Sequence, residues 1–69
     1  RLILGALLRI SNGDVRGKYT LHMQELEVVF GALEGAETRI NAIAFPAGVY
    51  LLRLTAENGA QKTFTVVKN

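Results

Sequence analysis

The chain has 69 residues, of which 49% are hydrophobic and 20% charged, with a net charge of +2 and no cysteine. This size allows one small domain, near the limit at which a single core sustains a fold, and the absence of thiols excludes a disulfide framework, a thiolate nucleophile and cysteine metal sites. The basic excess is small and spread along the chain, which excludes a nucleic-acid footprint.

Residues 1–8, Arg-Leu-Ile-Leu-Gly-Ala-Leu-Leu, are similar to the apolar part of a signal peptide. Arg9 follows them without a clear cleavage site, and the run is far short of the roughly 20 residues that cross a bilayer, so a buried strand is expected and no membrane span. Asn12-Gly13 is the strongest short hairpin signal, because both central residues of a type I′ turn need positive φ. Folding the chain there predicts Ile10 opposite Val15, Leu4 opposite Leu21 and Leu2 opposite Met23. One face then carries Leu2, Leu4, Ala6, Leu8 and Ile10 with Val15, Gly17, Tyr19, Leu21 and Met23. The other carries Arg9, Arg16, Lys18, Thr20 and His22, the alternation of an antiparallel pair with one face on a core. Arg9 opposite Arg16 is a like-charged pair that costs a little unless an acidic group lies near.

Leu26, Val28 and Phe30 alternate with Glu25, Glu27 and Val29, so the apolar parity switches from odd to even across Gln24-Glu25. A bulge, a bend or a new strand is needed there, and a new strand is expected. Helical spacing through Met23, Leu26, Val29, Phe30 and Leu33 is the rival, opposed by the adjacent β-branched Val28 and Val29 and by Gly31. Residues 31–36 read as a loop. Residues 37–42 read as another strand with Ile40 inward.

At the other end, Pro46 has a fixed φ and no N–H, so it belongs before a strand, and Gly48 supplies the permissive backbone at which that strand starts. A two-residue Asn58-Gly59 turn would set Arg53 opposite Phe64, mixing charge with aromatic surface. A three-residue loop with Gly59 left-handed sets Tyr50, Leu52 and Leu54 on one face with Phe64 and Val66, leaving Leu51, Arg53, Thr63 and Thr65 outside. The three-residue loop is expected.

No catalytic constellation emerges. Ser11, Asp14 and His22 are the sole serine, aspartate and histidine, and the expected N-terminal hairpin holds His22 roughly 25 Å from the turn, at about 3.3 Å per residue. Ser11 and Asp14 serve turn backbone groups, and His22 is a solvated histidine without companion metal ligands. Glu25 and Glu27 are the wet side of a strand rather than an acid/base pair. Gly31 and Gly35 match Gly-x-x-x-Gly but lie in no long apolar helix. Neither an enzyme nor a cofactor is expected.

The stretch Phe45-Pro46-Ala47-Gly48-Val49-Tyr50-Leu51-Leu52-Arg53-Leu54, then Asn58-Gly59, then the Lys-flanked run from Lys62 to Lys68, resembles the closing hairpin of the type IX secretion system C-terminal sorting domain, type A. The resemblance runs from about residue 37 to residue 69. Upstream, Val15-Arg16-Gly17-Lys18-Tyr19 is similar to the family's strand-turn pattern around a Gly-Lys or Gly-Arg pair. The resemblance implies an all-β, antiparallel immunoglobulin-like β-sandwich over residues 1–69, the C-terminal appendage of a larger exported protein. It implies recognition by the outer-membrane secretion machinery, with Pro46, Gly48, Tyr50, Lys62 and Lys68 as the recognition motif. It also implies removal by a surface sortase-like protease, after transit through the periplasm to the cell surface or medium. Edge-strand pairing with a partner fits that role. The alternative is a small β-sandwich binding module for carbohydrate or protein, which needs an exposed aromatic platform or an acidic loop; Tyr19, Tyr50 and Phe64 are all expected to face inward.

Overall fold

Alternating apolar and polar residues give a strand one dry face, and two such faces must close on each other to exclude water. The computed structural model describes residues 2–69, with side chains from Gly5 onward. Among those residues it forms β1 (Leu2–Leu4), β2 (Leu7–Ser11), β3 (Gly17–Met23), β4 (Leu26–Leu33), β5 (Glu37–Asn41), β6 (Gly48–Ala56) and β7 (Gln61–Lys68). Five strands make one sheet in the order β1-β7-β6-β3-β4, and β2 and β5 make a second. Neighbours run antiparallel except β1, which lies parallel to β7. The protein is therefore all-β, a small antiparallel β-sandwich, as its alternation predicts.

Leu8 and Ile10 of β2, Ile40 of β5 and the adjoining Ala42 form one side of the core. Leu21, Leu33, Tyr50, Leu52 and Val66 of the large sheet form the other. Leu21, Tyr50 and Val66 are fully buried, each contributing on the order of 2 kcal/mol of hydrophobic stabilisation.

The C-terminal hairpin has the register that burial selects. Tyr50 faces Val66, Leu52 faces Phe64 and Leu54 faces Lys62. Ala56 N–H donates to the Ala60 carbonyl at 2.8 Å, Gly59 N–H donates to the Ala56 carbonyl at 2.9 Å, and Gly59 takes a φ of 92°. The loop is thus the three-residue Glu57-Asn58-Gly59. Phe64 lies on the core side as expected but stays 39% exposed, because it looks into an open cleft of the sandwich.

The N-terminal half departs from the expected hairpin. Residues 12–15 do turn tightly: Val15 N–H donates to the Asn12 carbonyl at 2.9 Å, and the central residues Gly13 and Asp14 have φ of 56° and 65°. The strands they join, however, belong to different sheets. Ile10 faces Thr38 rather than Val15. Leu21 lies between Leu52 and Val29 rather than opposite Leu4, and Met23 lies between Tyr50 and Leu26 rather than opposite Leu2. Leu2 and Leu4 align with Val66 and Lys68. A two-stranded ribbon would leave the apolar side of β3 wet, whereas carrying β2 across it provides Leu8 and Ile10 as cover. Arg9 consequently meets Arg39 instead of Arg16, and the acidic neighbour is Glu37, whose Oε1 accepts from Arg39 Nε at 2.7 Å.

β4 is a new strand, reached through a two-residue turn at Gln24-Glu25 in which Gln24 takes a φ of 57°. The turn carries the switch from odd to even by pairing Met23 with Leu26, and a bulge then reverses it: His22 pairs with Glu27 but Leu21 pairs with Val29, leaving Val28 as the extra residue. After it Val29 and Leu33 face the core, while Phe30 points outward and is 70% exposed. The expected loop over residues 31–36 is shorter, because β4 continues to Leu33. Gly31 remains in the strand because the Tyr19 ring, directly opposite, fills the space its side chain would take.

Candidate functional site

The Pro46-x-Gly48-x-Tyr50 element forms one end of the sandwich. Ile43 N–H donates to Asn41 Oδ1 at 3.1 Å and Phe45 N–H donates to the Ala42 carbonyl at 3.0 Å, turning the chain out of β5. The Tyr50 hydroxyl then donates back to the Pro46 carbonyl, and its ring stacks on Phe45 with centroids 5.9 Å apart. A buried Tyr tied to backbone a few residues upstream pins a β-sandwich corner. Gly48 has a φ of 155°, and Met23 Cε occupies the place of the missing β-carbon. Tyr50 is fully buried, so what the motif offers a partner is Pro46, Ala47 and Val49.

Lys62 and Lys68 share the core-side parity of β7 but lie six positions apart, roughly 20 Å along the strand. Lys68 is half-buried and its Nζ donates to the Gly5 carbonyl at 3.1 Å, tying the β1–β2 connection to the end of β7. Lys62 is exposed at the rim of a cleft of about 390 Å³ between the sheets. Its apolar lining includes Val15, Leu33, Leu54 and Phe64, and Ser11 closes it from β2. The motif residues thus divide between two places, the Pro46–Tyr50 corner with Lys68 near the β1 junction, and Lys62 at the open cleft.

β7 is not a free edge along its whole length. β1 covers Val66, Val67 and Lys68, and residues 61–65 have no strand on that side among the described residues. This corrects the expectation of a terminal edge strand: β1 caps part of β7 because its register with Val66 continues the large sheet.

The other candidates are dispersed. Ser11 ends β2, Asp14 sits in the turn with positive φ, and His22 is on the side of β3 that faces away from the second sheet. Among the described residues no three His, Asp or Glu side chains converge as metal ligands. Glu25 lies in a turn and Glu27 on β4, both exposed. Among the described residues one ion pair forms, Arg39 with Glu37. The Glu37 carboxyl is held below its ordinary value, first by the hydrogen bond from Arg39, with burial opposing and the charges of Arg39 and Arg9 adding to the lowering. No helix among the described residues is long and apolar enough to cross a membrane.

Sequence reasoning set Leu51 on the outward face of the large sheet, where it is exposed, but missed Phe30 on the same face. The bulge at Val28 hid Phe30, since simple alternation counts it on the other side. Compared with protein-family models, with curated proteins and with solved structures, the chain matches none.

Proposed function

We infer that this domain is a C-terminal sorting label, directing an attached cargo through the outer-membrane translocon of a type IX secretion system. A sortase-like protease at the cell surface then removes it. The observation that carries the reading is the Pro46-x-Gly48-x-Tyr50 corner feeding a hairpin whose second strand, β7, carries Lys62 and Lys68. Its support is the resemblance over residues 37–69, together with a small β-sandwich that presents β7 beside an open cleft. The label acts by being folded and by showing surface common to unrelated cargos, and no chemistry is required of it.

The test is a reporter fused upstream of the domain in a type IX-competent host, with cell fractions compared between the intact domain and one with residues 62–69 scrambled. The intact fusion reaches the surface or medium, and the scrambled one stays in the periplasm. Lys62→Ala, which leaves the core untouched, measures what the charge adds. An intact fusion retained like the scrambled one overturns the reading. The binding module then takes its place, and Phe30, 70% exposed on the outward face, is the aromatic with which to begin.

A further inference from the structure

An asparagine followed by glycine is the pair in which the side-chain amide is most open to attack by the next backbone nitrogen, because glycine puts no side chain in the way. The chain has two such pairs, Asn12-Gly13 and Asn58-Gly59, each in a tight turn with its glycine at positive φ and open space around it. Local sequence and crowding therefore do not tell them apart. Their hydrogen bonds do.

Asn12 is half-buried, and its amide is held at both ends. Nδ2 donates to the Val15 carbonyl at 3.1 Å and to the Gly35 carbonyl at 2.6 Å, and Oδ1 accepts from the Thr38 hydroxyl at 3.1 Å. Gly13 N–H, on the nitrogen that would attack, donates to the Ala36 carbonyl at 3.1 Å. Swinging the amide onto that nitrogen means parting the turn from Gly35, Ala36 and Thr38, which belong to the other crossing between the sheets. Asn58 is exposed at the tip of the β6–β7 loop. Its Oδ1 accepts from Ala60 N–H at 2.9 Å, and Gly59 N–H donates to the Ala56 carbonyl at 2.9 Å. Both bonds lie within residues 56–60, so fraying of the loop tip alone frees the amide and the nitrogen together, the kind of local opening that costs least.

We propose that Asn58 is a site of spontaneous conversion to aspartate and isoaspartate, and that the fold spares Asn12. Gly59 N gives its proton to solvent base and bonds to Asn58 Cγ; the Cγ–Nδ2 bond breaks and Nδ2 leaves as ammonia, closing a cyclic imide. Water then opens the ring. Addition at Cγ breaks the bond just made and leaves aspartate, whereas addition at the Asn58 main-chain carbonyl carbon breaks the original peptide bond and leaves isoaspartate, with the main chain rerouted through Cγ. Nothing is oxidised or reduced, and water is the reagent consumed. Either product adds a carboxylate to the groove that Asp14 and Glu57 already line beside Arg16. Isoaspartate also lengthens the loop that sets the β6–β7 register. The conversion goes beyond the sorting role and proceeds whether or not the domain directs export.

The test follows the purified protein through incubation in mildly alkaline buffer at physiological temperature, with the same chain in urea as the reference. Peptide mass spectrometry after digestion reads the exchange of amide for acid at each asparagine, and chromatography separates isoaspartate from aspartate. In urea the two pairs convert at similar rates. In the folded protein Asn58 converts at least about tenfold faster than Asn12, because opening Asn12 breaks further net hydrogen bonds. Thr38→Val removes the donor to Asn12 Oδ1; compared where circular dichroism shows both chains folded, it raises the Asn12 rate and leaves the Asn58 rate unchanged. Equal rates at Asn12 and Asn58 in the folded protein, or an Asn58 that survives intact while the urea reference converts, overturn the proposal. An Asn12 rate unmoved by Thr38→Val overturns the protection assigned to that bond.

Discussion

Asn12 and Thr38, 26 positions apart, are joined side chain to side chain: the buried Thr38 hydroxyl donates to Asn12 Oδ1 at 3.1 Å. The same hydroxyl oxygen accepts from Glu34 N–H at 2.9 Å, and Asn12 Nδ2 donates to the Gly35 carbonyl at 2.6 Å and the Val15 carbonyl at 3.1 Å. Asn12 and Gly13 N–H also donate to the Ala36 carbonyl, at 2.9 and 3.1 Å. The two crossings between the sheets, from β2 to β3 and from β4 to β5, are thereby fastened to each other. Thr38→Val keeps the shape but strands Glu34 N–H and Asn12 Oδ1, and is expected to cost about 2 kcal/mol in urea unfolding. Asn12→Ala costs a similar amount. The double variant costs less than the sum of the two, and strict additivity would show that the pair is not coupled.

Gly17 and Gly59 separate two kinds of glycine requirement. A β-carbon at Gly17 would overlap the Thr55 carbonyl oxygen and crowd Ala56, backbone that cannot swing aside. Gly17→Ala is therefore expected to lower the melting temperature strongly by prising β3 from β6. Gly59 has open space around it but a φ of 92°, so only its backbone conformation resists substitution. Gly59→Val costs about 1 kcal/mol or more and Gly59→Asn less. Equal melting temperatures for these two variants would refute the left-handed turn.

Tyr50 holds its corner by ring and by hydroxyl, and the two are separable. Tyr50→Phe leaves the buried ring stacked on Phe45 and removes only the bond to the Pro46 carbonyl, with an expected loss of about 1 kcal/mol. Tyr50→Ala empties the core and costs about 3–5 kcal/mol, enough to unfold a domain of this size. Chemical denaturation of the two variants checks the ratio.

Glu37 gives stability a weak dependence on pH. Its folded carboxyl titrates below the ordinary value, so its contribution is complete above the unfolded value near 4.5 and is lost as pH falls through the lowered folded value. Glu37→Gln is expected to lower the melting temperature slightly at neutral pH and to differ less from the parent in acid. Added salt narrows the difference, because the pair is exposed. A gap that widens on acidification would contradict this sign.

What could be read from the residues followed how local the deciding interaction was. The β6–β7 register was legible because Tyr50, Leu52, Phe64 and the left-handed Gly59 lie within one hairpin, where a slip of one residue would bury Arg53. Asn12-Gly13 was misleading because tight-turn chemistry is the same whether the flanking strands pair or part. What separates β2 from β3 is the demand of Leu21 for cover, and alternation alone does not name the covering strand. Val28 was illegible as a bulge because it is set by β3 holding Leu21 to Val29 while the Gln24-Glu25 turn holds Met23 to Leu26. Of the candidate site, the Pro46–Tyr50 corner was visible as a motif. The anchoring of Lys68 by Gly5, 63 positions earlier, was not.

The parallel seam of β1 and β7 also has a mechanical meaning. Tension applied at Leu2 and Lys68 pulls the two strands past each other along their length, because they run the same way and are gripped at opposite ends. The bonds aligning Leu2, Ile3 and Leu4 with Val66, Val67 and Lys68 are then loaded together instead of being peeled one at a time. A tug between the two ends of the domain thus meets a catch at its first and last strands, and the five strands behind that catch feel no load until it gives.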